Sequence, residues 1–275
     1  MKETQGKLLP FLYRTTAGRF LLRGLVHPTI SRIVGAFLDA HCSTCLIKPY
    51  VKHYQIDLSL YEPVTYHSFN QFFTRKIKSE NRPFAMGERE LASPCDGKLT
   101  VFPITEDAQF LVKGQPYTVA TLLRNQALAP QLQGGYCFIF RLTVDDYHRY
   151  HYFDSGVKGE NVVLPGKLHT VRPIALENCP VFCENSREYT VLQTDHFGQV
   201  IQMEVGALLV GRIRNHHQAG AVQRGAEKGM FEFGGSTVIL LFPKDAVQPE
   251  QTLLDRTAAG EETPVQCGAV IGRKA

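Results

Sequence analysis

Phe233-Gly234-Gly235-Ser236-Thr237 runs directly into Val238-Ile239-Leu240-Leu241-Phe242. Paired glycines permit backbone angles closed to other residues, and the apolar run behind them is β-branched and aromatic, so the stretch reads as a tight turn feeding a buried strand. By itself it describes an ordinary Gly-Gly turn with a capping serine. The bend also brings the Gly235 carbonyl within reach of the Ser236 hydroxyl, which makes that peptide bond a candidate for chemistry.

Working outward, the same texture recurs in Lys98 to Ile104, Gln109 to Val119, Tyr136 to Thr143, Glu188 to Gln193 and Val200 to Ile213. These short runs are separated by glycine-containing turns, as in a β-rich region. Pro249 to Pro264 is polar and reads as a loop. Upstream the texture is helical. Between Lys2 and Arg32 one acid, Glu3, stands against Lys2, Lys7, Arg14, Arg19, Arg23 and Arg32, interleaved with Phe11, Leu12, Phe20, Leu21, Leu22, Leu25 and Val26. Such a basic amphipathic pattern suits either a bilayer interface or the protein's own core. Gly24 and Pro28 interrupt it, and Thr29 is positioned to cap a second helix through Ile33, Val34, Phe37 and Leu38. Ser68 and Gln71 stand at capping-box spacing before Phe69, Phe72 and Phe73, and Pro83 closes the helical part. The fold class expected is α+β: a helical portion over 1–84 packed on a β-rich catalytic region over 85–275 of mostly antiparallel strands.

Composition narrows the function. The chain has 275 residues, 44% of them hydrophobic, with a net charge of +4 and no Trp, and this modest balance leaves no nucleic-acid footprint. No run of apolar residues reaches bilayer-spanning length; Ile33 to Ile47 is too short and contains Asp39 and His41. Arg14, Arg19 and Arg23 interrupt any secretory signal, so a cytoplasmic location is expected. The seven cysteines are odd in number and scattered, which suits free thiols. His41, Cys42 and Cys45 form a lone CxxC group, and Cys179 and Cys183 are the only other spaced pair. Without a matched second CxxC we expect no metal.

Two further motifs carry chemistry. Ser93-Pro94-Cys95-Asp96-Gly97 places a carboxylate at a turn, and Asp145-Asp146-Tyr147-His148-Arg149-Tyr150-His151 sets two imidazoles three residues apart. Asp-Gly turns are common and single histidines are mostly structural, so each motif alone is weak. With Ser236 they offer Asp, His and Ser in one chain, the groups of a serine hydrolase. The nucleophile elbow, however, requires Gly two residues after the serine, where Val238 stands. What remains is a serine whose nearest electrophile is its own upstream carbonyl.

Together with Phe69-Asn70-Gln71-Phe72-Phe73-Thr74-Arg75, Phe182 to Arg187, Val205-Gly206-Ala207 and Arg224-Gly225-Ala226-Glu227, these segments resemble the phosphatidylserine decarboxylase family over most of residues 65–242. The resemblance implies a proenzyme that cleaves itself between Gly235 and Ser236, giving fragments 1–235 and 236–275. Ser236 would attack the Gly235 carbonyl with His151 as general base and Asp96 orienting that imidazole. It would end as a pyruvoyl group, the only cofactor implied. That group would form a Schiff base with phosphatidylserine and release CO2, leaving phosphatidylethanolamine, with His148 near the reacting centre and Asp146 ordering the histidine segment. The partners implied are phosphatidylserine, an anionic membrane surface holding the enzyme peripherally, and the two fragments as a heterodimer; a homo-oligomer stays open. The residues alone also leave open a pyruvoyl-dependent decarboxylase of a soluble amino acid and a β-rich membrane-binding module without activity.

Overall fold

The computed structural model describes residues 8–207 and 212–275. Lys2, Glu3 and Lys7 of the basic pattern, and the Leu208–Gly211 part of the expected Val200 to Ile213 run, lie outside the described residues. The architecture is α+β, as expected: N-terminal helices precede a region of antiparallel sheets.

The main sheet has nine strands, with Ser236–Phe242 near its middle. That strand pairs antiparallel with Gly198–Gly206 on one side and Tyr136–Leu142 on the other. Beyond these lie Arg187–Thr194 and Gly97–Pro103. Alternation explains why Val238 to Phe242 is apolar at every position. Ile239 and Leu241 belong to one core, Val238, Leu240 and Phe242 to the other, so both faces of the sheet are covered. The first core is closed by Leu12, Tyr13, Leu22 and Val26 from the N-terminal segment and by Leu176 and Phe182. The second is closed in part by Tyr150 and Phe231, from the small sheet of Arg149–His151, Glu227–Phe231 and Ile213–Asn215.

Three helices come first among the described residues: α1 (Leu8–Arg14), α2 (Thr16–Leu25) and α3 (Pro28–Asp39). The basic amphipathic pattern is only partly drawn into the core. Leu12, Tyr13 and Leu22 are buried, yet Phe20 remains 75% exposed and Ile33 64% exposed. Thr15 caps α2 by accepting from the Gly18 amide. The expected Thr29 cap of α3 is corrected: His27 Nδ1 accepts from the Thr29 amide, so the cap lies two residues earlier. After α4 (Ile47–Tyr54), the aromatic motif forms α5 (Phe69–Phe73). Ser68 Oγ accepts from the Gln71 amide, while the Gln71 side chain returns to the His67 amide rather than to that of Ser68.

Two further differences have simple causes. Gln109 to Val119 is a hairpin, Gln109–Val112 against Gln115–Thr118, turned by Lys113 and Gly114, both at positive φ as a two-residue hairpin turn requires. The stretch expected as a polar loop, Pro249 to Pro264, holds the helix Gln251–Ala258 and the edge strand Thr263–Val265. One turn of that helix needs only Leu253 and Leu254 against the second core, too few apolar residues to stand out from a polar surface.

Candidate active site

Ser236 is the first residue of its strand, opposite Leu142 and Gly206, and only 1% exposed. Its hydroxyl has no hydrogen-bond partner. A buried, unsatisfied hydroxyl costs about 1–3 kcal/mol. The turn before it is tight. Gly234 has φ +140°, and a Cβ on Gly235 would come within 3.3 Å of Val171 Cγ2.

The aromatic helix α5 sets this turn. Phe233 packs edge-on against Phe69 at 5.2 Å and Phe73 at 5.0 Å, and its amide donates to Asn70 Oδ1. Asn70 is in turn fixed by donating to Asp39 at 2.7 Å. Tyr50 of α4 also packs on Phe69 and donates to the Val144 carbonyl, so one aromatic cluster ties the Gly-Gly turn to the loop that carries the histidines.

His148 packs on Phe73 with ring centroids 4.2 Å apart and is 1% exposed. Its Nδ1 lies 2.9 Å from the Asp146 carbonyl, which can only accept, so the proton resides on Nδ1 and Nε2 keeps its lone pair. That Nε2 is buried without a partner. Burial lowers the pKa from 6.5 to about 4, outweighing the nearby Asp146 carboxylate, so the imidazole is neutral at pH 7. Asp146 orders this loop as expected. Its carboxylate accepts from Lys98 Nζ and from both the amide and hydroxyl of Thr143, and its carbonyl holds His148.

The lowered pKa makes a stability prediction. The unfolded imidazole binds a proton below about 6.5 and the folded one only below about 4, so stability is full above 6.5 and falls with acidification through that window. In uncut Ser236→Ala protein, the loss attributable to His148 at pH 5 is about 2 kcal/mol. Urea unfolding at pH 7 and 5, with and without His148→Gln, measures it; equal acid sensitivity in the two proteins would contradict the neutral assignment.

Asp96 and His151 meet through a third residue. Asp96 is bound in a fork by Arg82, Nε to Oδ1 at 3.0 Å and Nη2 to Oδ2 at 2.7 Å, and Oδ1 also accepts from the Cys267 amide at 2.8 Å. His151 Nδ1 lies 3.3 Å from Cys267 Sγ. The direct Asp96–His151 contact expected from sequence is therefore replaced by a link through Cys267, with the carboxylate's charge answered by Arg82. Burial lowers the His151 pKa and raises that of the Cys267 thiol, which stays protonated. No hydrogen bond joins Ser236 to either histidine in this uncut chain. Arg82 and Cys267 carried no motif signal.

Gly234 and Gly235 also line a cavity of ≈ 260 Å³ with Leu142, Val144, Val171 and Phe233, reached from one side by Leu9 of α1. Among the described residues no three His, Cys, Asp or Glu side chains gather as metal ligands. Cys42 and Cys45 are exposed, whereas Cys179 and Cys183 pack against the first core.

The chain is similar to known proteins over nearly its whole length. A family model described as phosphatidylserine decarboxylase matches residues 69–272. The phosphatidylserine decarboxylase proenzyme 2 of Clostridium acetobutylicum is 44% identical over 272 residues, 98% of this chain and 93% of that protein. The phosphatidylserine decarboxylase proenzymes of Ruminiclostridium cellulolyticum and Clostridium tetani are each 40% identical, with 97% and 98% of this chain covered, and 91% and 92% of theirs.

Proposed function

The chain belongs to the phosphatidylserine decarboxylase family, and from that premise we propose that it matures by breaking its own Gly235–Ser236 bond and then works from residue 236. Its reaction is the decarboxylation of phosphatidylserine to phosphatidylethanolamine. The observation that carries the site is the pairing of a partnerless, buried Ser236 hydroxyl with a glycine turn in which a side chain at 235 would crowd Val171 Cγ2 at 3.3 Å.

In self-cleavage Ser236 Oγ attacks the Gly235 carbonyl carbon and the peptide nitrogen leaves, converting an amide into an ester. Loss of the Ser236 α-proton then expels the Gly235 carboxylate. The remaining dehydroalanine tautomerises and takes up water, and ammonia departs, leaving a ketone at residue 236. We assign the base in the first step to His151, steadied by the Asp96–Cys267 link. The missing Ser236–His151 hydrogen bond is to be formed when the chain fires, since catalytic contacts are often long before reaction.

The pyruvoyl group so formed supplies an electron sink for the electrons released with carbon dioxide. Around it the protein excludes water with Phe73, Phe233 and Val171, which favours conversion of a charged carboxylate into a neutral gas. His148 offers a neutral, unpartnered Nε2 in the same apolar setting; an arriving carboxylate would raise its proton affinity and let it handle the proton that replaces the carboxylate. The two fragments stay together because Ser236–Phe242 lies between two strands of the large fragment, and Val270–Lys274 pairs with Glu90–Ala92.

The enzyme is placed by this reading on the cytoplasmic face of the cell membrane, peripherally. No single described helix is long and apolar enough to cross a bilayer. What supports surface binding is the exposed apolar set Phe20, Leu21, Ile33 and Phe37 on α2 and α3, flanked by exposed Arg19, Arg23 and Arg32. Wild-type protein is expected to float with vesicles containing anionic phospholipid, less so in high salt, while a Phe20→Asp/Ile33→Asp double variant remains unbound yet self-cleaves normally. Equal flotation of both proteins would remove this face as the anchor.

A further inference from the structure

The cavity beside Gly235 holds a cation that the maturation chemistry does not use. Of its two arginines, Arg141 is bound in a fork by Glu262, at 2.8 and 2.6 Å. Arg172 is different. It is half-buried, immediately before the helix Pro173–Asn178, and its guanidinium makes no hydrogen bond or ion pair with any described residue. Only its backbone is engaged, the amide donating to Thr170 Oγ1 and the carbonyl accepting from the Ala175 and Leu176 amides. A partly desolvated guanidinium without an anion, lining a cavity whose other walls include Leu142, Val144, Val171 and Phe233 beside Thr143 and Thr170, is a site prepared for an anionic group brought in from outside.

We propose that Arg172 binds the phosphodiester of the phosphatidylserine headgroup and so sets the lipid's position against residue 236. The proposal rests on the reading of residue 236 as the reacting centre. The substrate offers two anions, and the chemistry separates them. The carboxylate must lose its charge as carbon dioxide forms, so a guanidinium paired with it would stabilise the ground state and oppose reaction. The phosphodiester keeps its charge throughout and lies only a few bonds from the reacting amine. It can be held tightly without slowing the chemical step. Leu9, which lines the cavity at the start of the helical segment that exposes Phe20 and Leu21, gives the glycerol and acyl portion a route toward the bilayer.

A contact to a group unchanged in the reaction acts on ground and transition states alike, so its loss appears in KM and not in kcat. With a soluble short-chain phosphatidylserine, fully self-cleaved Arg172→Gln is expected to show KM raised about 10- to 100-fold and kcat within about 3-fold of wild type, with Arg172→Lys between them. Unchanged KM overturns the proposal. A fall in kcat at unchanged KM overturns it too, by moving Arg172 to the reacting carboxylate. Should Arg172→Gln fail to mature, calorimetry of glycerophosphoserine binding to uncut Ser236→Ala protein, with and without Arg172→Gln, decides the matter: weaker binding by a similar factor supports the proposal and equal binding overturns it. Failure of the wild-type chain to split would instead defeat the reading of residue 236.

Discussion

Ser236→Ala leaves the chain whole and without decarboxylase activity. Wild-type protein is expected to give bands of roughly 26 and 4.5 kDa on denaturing electrophoresis, the 30.9 kDa chain divided in proportion to length. The variant gives one. On the proposed reading the effect is total, because the hydroxyl would be both the nucleophile of self-cleavage and the source of the cofactor, leaving no residual route. The fold itself is expected to persist. Ser236 Oγ has no hydrogen bond to lose, and its removal relieves an unsatisfied buried group. An intact but unfolded variant, judged by circular dichroism, would contradict this account of why Ser236 sits unpartnered; a split variant would contradict the account of cleavage.

The second large effect divides the two histidines. His148→Gln is expected to mature into both fragments and then turn over about 10²- to 10⁴-fold more slowly, the usual contribution of a positioned proton-transfer group. His151→Ala and Asp96→Asn are expected to stay uncut. The structural basis is the different environment of each imidazole. His148 stands against Phe73 in the apolar cluster that also grips Phe233, beside the reacting turn. His151 belongs with Cys267, Asp96 and Arg82, a polar group in which the 236–275 segment contributes Cys267 to residues of the large fragment. Normal turnover in His148→Gln would take it out of the chemistry. Full cleavage in His151→Ala would move the base elsewhere, with His148 Nε2 the next candidate.

Much of the fold is legible in the sequence where local pattern and burial agree. Val238 to Phe242 is apolar at every position because both faces of its strand are covered, and the run identifies itself. The aromatic motif Phe69 to Phe73 announces its helix through Ser68. The helix Gln251–Ala258 does not, because its inward face amounts to two leucines in a polar sequence. At the site, Asp96, His148, His151 and Ser236 are visible as residue types in motif settings, but their partners are not. Arg82 reaches Asp96 across 14 residues, while Cys267 reaches it across 171. Contacts over such separations are set by how the sheets close, which no local spacing encodes. The cavity is illegible for the same reason, since Leu9, Arg172 and Gly235 come together only in the folded chain.

The most direct test is the intact mass of the small fragment released from purified wild-type protein. A fragment spanning 236–275 that begins with a pyruvoyl group is about 17 Da lighter than the same segment with an N-terminal serine, the difference being one ammonia. The lighter mass, absent from Ser236→Ala protein, is the expected result. A serine-headed fragment, or a chain still unsplit after prolonged incubation, would contradict the claim that the Gly235–Ser236 bond is the source of the cofactor.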